Sequence, residues 1–253
     1  MKTMKEANAL ILKMADDALI VGHRNSEWTG LGPILEEDIA FSSMAQDKIG
    51  HALALYTMLH EQTGSREPDH MAFMRPADEF RCCHFSELPT SEYDFSTARH
   101  FLFDHAESIR YEMLAESAYE RLARLARKVR GELKYHVLHA NSWMIRLGHG
   151  TEVSHARIQS ALNFAMPYAL GMFEETSDEA SIMAARIFQG ERQLRSYWEE
   201  RIREQLKKAN LVFPEVDEKE VHYGGRTGYH THHLQPLLEE MSQVYKLEGG
   251  VEW

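Results

Sequence analysis

The chain has 253 residues, enough to bury one full core. Its 43% apolar and 26% charged residues are the composition of a globular protein in water. A formal net charge of −11 excludes the basic footprint that nucleic-acid binding needs. It also lacks the run of about 18 apolar residues that a membrane helix requires. Lys2, Lys5, Glu6, Lys13, Asp16 and Asp17 interrupt the first nineteen residues, so no signal peptide is expected. The cysteines, Cys82 and Cys83, are adjacent, which suits a reducing compartment. A cytoplasmic protein is the expectation.

Ala7, Leu10, Ile11, Met14, Ala18 and Val21 recur at helical spacing and predict a first helix over 4–24. A turn cluster follows over 22–32. Pro33 then stands where a helix begins, with Glu36, Glu37 and Asp38 in its first turn. Leu35, Ile39, Met44, Ile49, Leu53 and Met58 carry that second helix to about residue 61. Residues 64–93 hold Pro68, Pro76 and Pro89 and read as a long irregular connection. The helical pattern from Asp94 to Gly148 would make a rod of roughly 80 Å if unbroken. A turn is therefore placed at 117–120, giving two antiparallel helices over 95–116 and 120–147. Further helices are predicted over 154–174, kinked at Pro167, over 179–209, and over 231–247 after a loop at 214–228. No strand pattern and no repeat is visible. The reading is all-α, one domain over 1–253, with a four-helix core and additional C-terminal helices.

Within that core a carboxylate stands four residues before a histidine twice, at Asp47/His51 and at Glu132/His136. Residues four apart share a helix face, and di-metal carboxylate bundles place Glu and Glu-x-x-His pairs inward on facing helices. With Asp104 these residues form a candidate inward set whose imidazoles and carboxylates suit iron, manganese or zinc. The alternative is a hydrogen-bonded polar patch, which is stable only if every charge is paired. Lys48 decides between them: pointing inward, its ammonium replaces a metal charge and pairs with Asp104.

The stretch from His222 to His233 is the second conspicuous feature. His230, His232 and His233 could bind a metal, and the glycines at 224, 225 and 228 could cradle a phosphate. The preferred reading is a loop that docks on the bundle and caps the last helix through Thr231. Dinucleotide and P-loop glycine motifs are absent. No nucleophile setting stands out, and Cys82 and Cys83 read as inert.

The order and spacing of several segments resemble the ferritin-like subunits of bacterial phenylacetyl-CoA 1,2-epoxidase over nearly the whole chain. They are Arg24 through Glu27-Trp28, Glu36-x-Asp38-Ile39-Ala40, Asp47-x-x-Gly50, Lys134-Tyr135-His136, and Trp143 through Arg146-Leu147-Gly148-x-Gly150-Thr151. The most specific is Gly224-Gly225-x-x-Gly228-x-His230-Thr231-x-His233-Leu234, with Pro236 and Glu240-Met241. The resemblance implies a ferritin-like fold and a part in a multicomponent monooxygenase. That enzyme adds one atom of O2 to the ring of phenylacetyl-CoA, giving a ring epoxide. One ferritin-like subunit carries the di-iron centre. A second, which this chain resembles more closely, binds it and is regarded as structural, and a reductase supplies the electrons.

Carried over position by position, the family's first-helix glutamate falls at Leu19. The glutamates of its two Glu-x-x-His motifs fall at Lys48 and Leu133, while His51, His136 and Asp104 are kept. The resemblance thus implies a vestigial di-iron pocket of Leu19, Lys48, His51, Asp104, Leu133 and His136, without catalytic or cofactor-binding residues. No cofactor is expected in this chain. The expected partners are the di-iron catalytic subunit and the other epoxidase components, with a homodimer when the chain is alone. Trp28 and Leu31 are the expected anchors of that interface. The competing reading is a stand-alone di-metal oxidase or oxygenase using Asp47, His51, Asp104, Glu132 and His136.

Overall fold

The computed structural model describes residues 2–64 and 66–247, with side chains from residue 7 onward. Ten α-helices and no strand occur among the described residues. α1 (Lys2–Ser26) packs along α2 (Leu35–Thr63), and α5 (Tyr93–Leu114) packs along α6 (Glu120–Gly148). These two pairs form the four-helix core. α7 (Glu152–Leu170) lies on α5 and α6, and α9 (Glu191–Lys208) lies chiefly on α5. Short α3 (Pro68–Phe73) and α4 (His84–Glu87) interrupt the first crossover connection, α8 (Glu179–Ala184) precedes α9, and α10 (Leu234–Leu247) closes the described chain against α3.

The local chemistry explains most boundaries. Glu36, Glu37 and Asp38 occupy the first turn of α2, and Gly64, in the left-handed region at φ 62°, stops it by donating its N–H to His60 O. α2 starts at Leu35, two residues after Pro33, because the Asp38 carboxylate accepts from Gly32 N–H at 2.6 Å and holds the entry turn. The turn predicted at 117–120 is present, with Ser117 Oγ accepting from Tyr119 N–H. Thr151 caps α7 by accepting from Ser154 N–H.

Three expectations need correction. The helix expected over 179–209 is two helices, because Gly190 adopts φ 102° and Arg186 φ 57° between them. Glu179 holds the break by accepting from Glu191 N–H, the first amide of α9. Second, the helix expected over 154–174 runs from Glu152 to Leu170 and gives way to a 3₁₀ turn at Gly171–Phe173. Third, the connection over 64–93 is not irregular throughout: it contains α3, α4 and a 3₁₀ turn at Ala77–Glu79, and buries Phe80, Cys82, Cys83 and Phe85.

The loop before α10 docks on the bundle, as read from its sequence. Arg226 is buried and ion-paired with Asp17 of α1, and also donates to the carbonyls of Arg81 and Met172. Gly225 lies so close to the connection before α4 that a Cβ there would be 2.1 Å from Cys82 O. Thr231 Oγ1 accepts from His233 N–H at the entry to α10, which begins at Leu234, three residues later than predicted.

Candidate functional site

The four-helix core encloses a chain of charged and histidine side chains. Lys48, in the middle of α2, is fully buried. Its Nζ donates to Asp104 Oδ1 at 2.5 Å and also to Glu107, both on α5. The Phe103 ring lies 5.4 Å from the ammonium. Desolvating a lone ammonium is costly, and only paired buried charges are tolerated. Here one cation meets two carboxylates spaced one turn apart. The pairing of Lys48 with Asp104 matches the sequence reading. Glu107 and His100 were missed, although they stand at helical spacing to Asp104, at i+3 and i−4.

His100 Nδ1 contacts the other oxygen of Asp104, and His136 Nδ1 lies 3.9 Å from Oδ1. Burial alone raises the Asp104 pKa, but His100, Lys48 and His136 override it, so the carboxyl titrates well below the usual carboxylate range. From His100 the network runs outward. His100 Nε2 and His139 Nδ1 are 3.2 Å apart, His139 Nε2 is 2.9 Å from Glu37, and the Tyr93 hydroxyl donates to the same Glu37 oxygen. Phe41, Trp28 and Trp143 wall this end with aromatic contacts. Trp28 is half-buried there rather than presented outward, whereas Leu31 is exposed.

The two acid–histidine motifs pair crosswise. Asp47 of α2 bonds His136 of α6 at 2.9 Å, and His51 of α2 bonds Glu132 of α6 at 2.6 Å. Moving one turn forward on α2 moves one turn back on α6, as antiparallel neighbours require. Burial lowers the pKa of His51 and takes that of His136 to about 4, so both rings are neutral near pH 7. Leu19 of α1 and Leu133 of α6 are buried in the apolar core. One turn beyond Leu19, Gly22 allows α1 to approach Lys48 so closely that a Cβ would sit 3.2 Å from Lys48 Cβ. A groove of about 320 Å³ between α2 and α6, with Met44, Asp47, Tyr135, His136 and His139 in its lining, leads toward this network.

A four-helix core whose centre is lined with inward acids and histidines defines a ferritin-like carboxylate bundle. Sequence comparison makes the assignment specific: a family model described as phenylacetic acid catabolic protein matches residues 1–253, and the chain belongs to that family. It is also similar to the 1,2-phenylacetyl-CoA epoxidase C subunit of Escherichia coli (strain K12), with 29% identity over 250 residues, 99% of this chain and 100% of the relative.

Proposed function

We propose that this chain is a non-catalytic, scaffolding subunit of a phenylacetyl-CoA epoxidase assembly in the cytoplasm. In this reading it is a single ferritin-like domain over 1–253 that pairs with a di-iron homologue and forms a homodimer when that homologue is absent. The similarity to an epoxidase C subunit supports the assembly. No described helix is long and apolar enough to cross a membrane, which agrees with the cytoplasmic placement.

The observation that carries the non-catalytic role is the ammonium of Lys48 between Asp104 and Glu107. A di-iron centre needs carboxylates that bridge two cations, and an ammonium already neutralises the acids that remain. His51 and His136 are engaged by Glu132 and Asp47, while Leu19 and Leu133 offer no donor. The residues present do not fit two irons, and no chemistry is assigned to this pocket.

A scaffold acts through surface, and an apolar stretch supports the location of the contact. Leu31, Ile34, Leu35, Ile39 and Leu53 on and just before α2, with Tyr135 and Leu138 on α6, are 48–72% exposed. Leu35, Ile39 and Leu53 share one outer side of α2, and Tyr135 lines the groove between α2 and α6. Exposed apolar area of this kind marks interaction sites, and a partner of the same fold would present a matching helix pair.

The test is iron analysis and O2 uptake of the purified chain, followed by co-purification with its catalytic homologue. The expected result is no stoichiometric iron, no reduction-dependent O2 uptake, and a stable complex. Two irons per chain with O2 uptake would overturn the scaffold reading in favour of a stand-alone oxygenase.

A further inference from the structure

Outside the four-helix centre, one buried cluster brings three different ligand types together. Cys82 precedes α4, Glu87 ends it, and His230 comes from the C-terminal loop. The Cys82 and Glu87 side chains are fully buried and that of His230 is 5% exposed. Of His230, His232 and His233, only His230 belongs to this cluster. His232 is exposed, and its ring meets that of half-buried His233 at a tilt of 43°.

The separations are 2.7 Å from His230 Nδ1 to Glu87 Oε1, 3.8 Å from Cys82 Sγ to the same oxygen, and 4.0 Å from Sγ to Nδ1. A triangle of those sides has a point about 2.05 Å from both nitrogen and oxygen and about 2.3 Å from sulfur, which are ordinary zinc–ligand distances. The nitrogen–oxygen edge is the tight one and opens slightly when a cation enters.

The surroundings orient each donor. His230 Nε2 donates to Phe80 O at 3.1 Å, which leaves Nδ1 of the neutral ring with a lone pair aimed at the cluster. The backbone N–H and the hydroxyl of Thr231 both donate to Glu87 Oε2 at 2.7 Å, which fixes the carboxylate and turns Oε1 inward. Without a cation, a proton must lie between Nδ1 and Glu87 Oε1, which are 2.7 Å apart. The thiol also keeps its proton, because burial, and then Glu87, push its pKa well up. A divalent cation replaces both protons and meets two negative ligands, leaving the buried cluster neutral.

We propose that Cys82, Glu87 and His230 form a binding site for a single divalent cation of the zinc class, separate from the four-helix centre. Its role is structural. It fastens the Gly224–His233 loop to α4 across 143 residues of sequence between Glu87 and His230, where Gly225 and Arg226 already dock. Binding requires deprotonated ligands and so releases protons, and affinity rises with pH.

The experiment is a Co²⁺ titration of the full chain, stripped of metal with a chelator and kept under a phosphine reductant. A thiolate-to-cobalt charge-transfer band should grow, saturate at one equivalent, and vanish when Zn²⁺ is added. Cys82→Ala should abolish the band and Cys83→Ala should leave it. His230→Gln should weaken cobalt binding by about tenfold or more. Circular dichroism confirms that each variant is folded. If Cys82→Ala does not fold, Cys82→Ser serves in its place, because serine is close in size and keeps a donor toward Glu87 but cannot give a thiolate band. No band in the wild-type chain at saturating Co²⁺ would overturn the proposal, as would a band that survives replacement of Cys82 or an affinity unchanged in His230→Gln.

Discussion

Lys48 shows how one side chain can define a core. Its ammonium pairs with two buried carboxylates, Asp104 and Glu107, and removing one member of such a set typically costs about 3–5 kcal/mol. Lys48→Met should destabilise by about that amount in urea unfolding, and Asp104→Asn introduced alongside it should recover part of the loss. Additive effects in the double-mutant cycle would show that the two residues are not coupled. This pair was legible because helical spacing and the carry-over of a ligand pattern both placed position 48 opposite Asp104. Glu107, His100, His139 and Glu37 were not, since inward acids and surface acids look alike until helix rotation is known. The neutral histidines predict a pH dependence. Burial lowers the pKa of His105 and of His136 from 6.5 to about 4. Between those values the unfolded chain binds more protons than the folded one, so stability must fall as pH drops from about 6.5 toward 4. Their contribution is fully present above 6.5. Urea midpoints across that range should decline, and less steeply in His105→Gln, which removes one of the two rings.

Glycines do two opposite things in the helices and loops. Gly225 is required by close approach: its missing Cβ would meet the Cys82 carbonyl at 2.1 Å and Cys83 Cα at 3.1 Å, both backbone atoms that cannot swing aside. Gly225→Ala should destabilise by about 1–3 kcal/mol and open the 214–233 loop to limited proteolysis. Gly50, inside α2, has nothing within 4 Å of an added Cβ. Gly50→Ala should stabilise by about 0.5–1 kcal/mol, measured as a raised thermal midpoint. The long helices were legible because their apolar spacing persists over many turns. The break between α8 and α9 was not, although Gly190 stands there. A single glycine inside a helical pattern is tolerated often enough that only the positive φ and the Glu179 cap identify it as a stop.

At the scale of the molecule, the core could be read from pattern, but its outer face could not. Leu35, Ile39 and Leu53 helped mark the second helix by their spacing, yet they are 51–69% exposed. A helix with apolar residues on two sides fits a core on one and a partner on the other, and spacing alone does not separate them. Trp28, expected as an anchor, packs against Phe41 and Tyr93. Charged replacements on the exposed stretch should therefore disrupt association where Trp28→Ala acts mainly on stability. The pair Ile39→Glu and Leu138→Glu should keep the wild-type circular dichroism spectrum but lose co-purification with the catalytic homologue. An undiminished complex would place the contact elsewhere.

Lys48 also bears on history. A glutamate restored there alone would join Asp104 and Glu107 as a third buried acid with no cation to share, a worse state than either endpoint. Leu19 and Leu133 would have to become acids in the same step, with metal at hand, before any benefit appeared. On the proposed reading the three exchanges are coupled, because each acid added alone is a buried charge without a cation. In that same reading, a lysine between these two acids holds the pocket to a non-metal form by its own electrostatics.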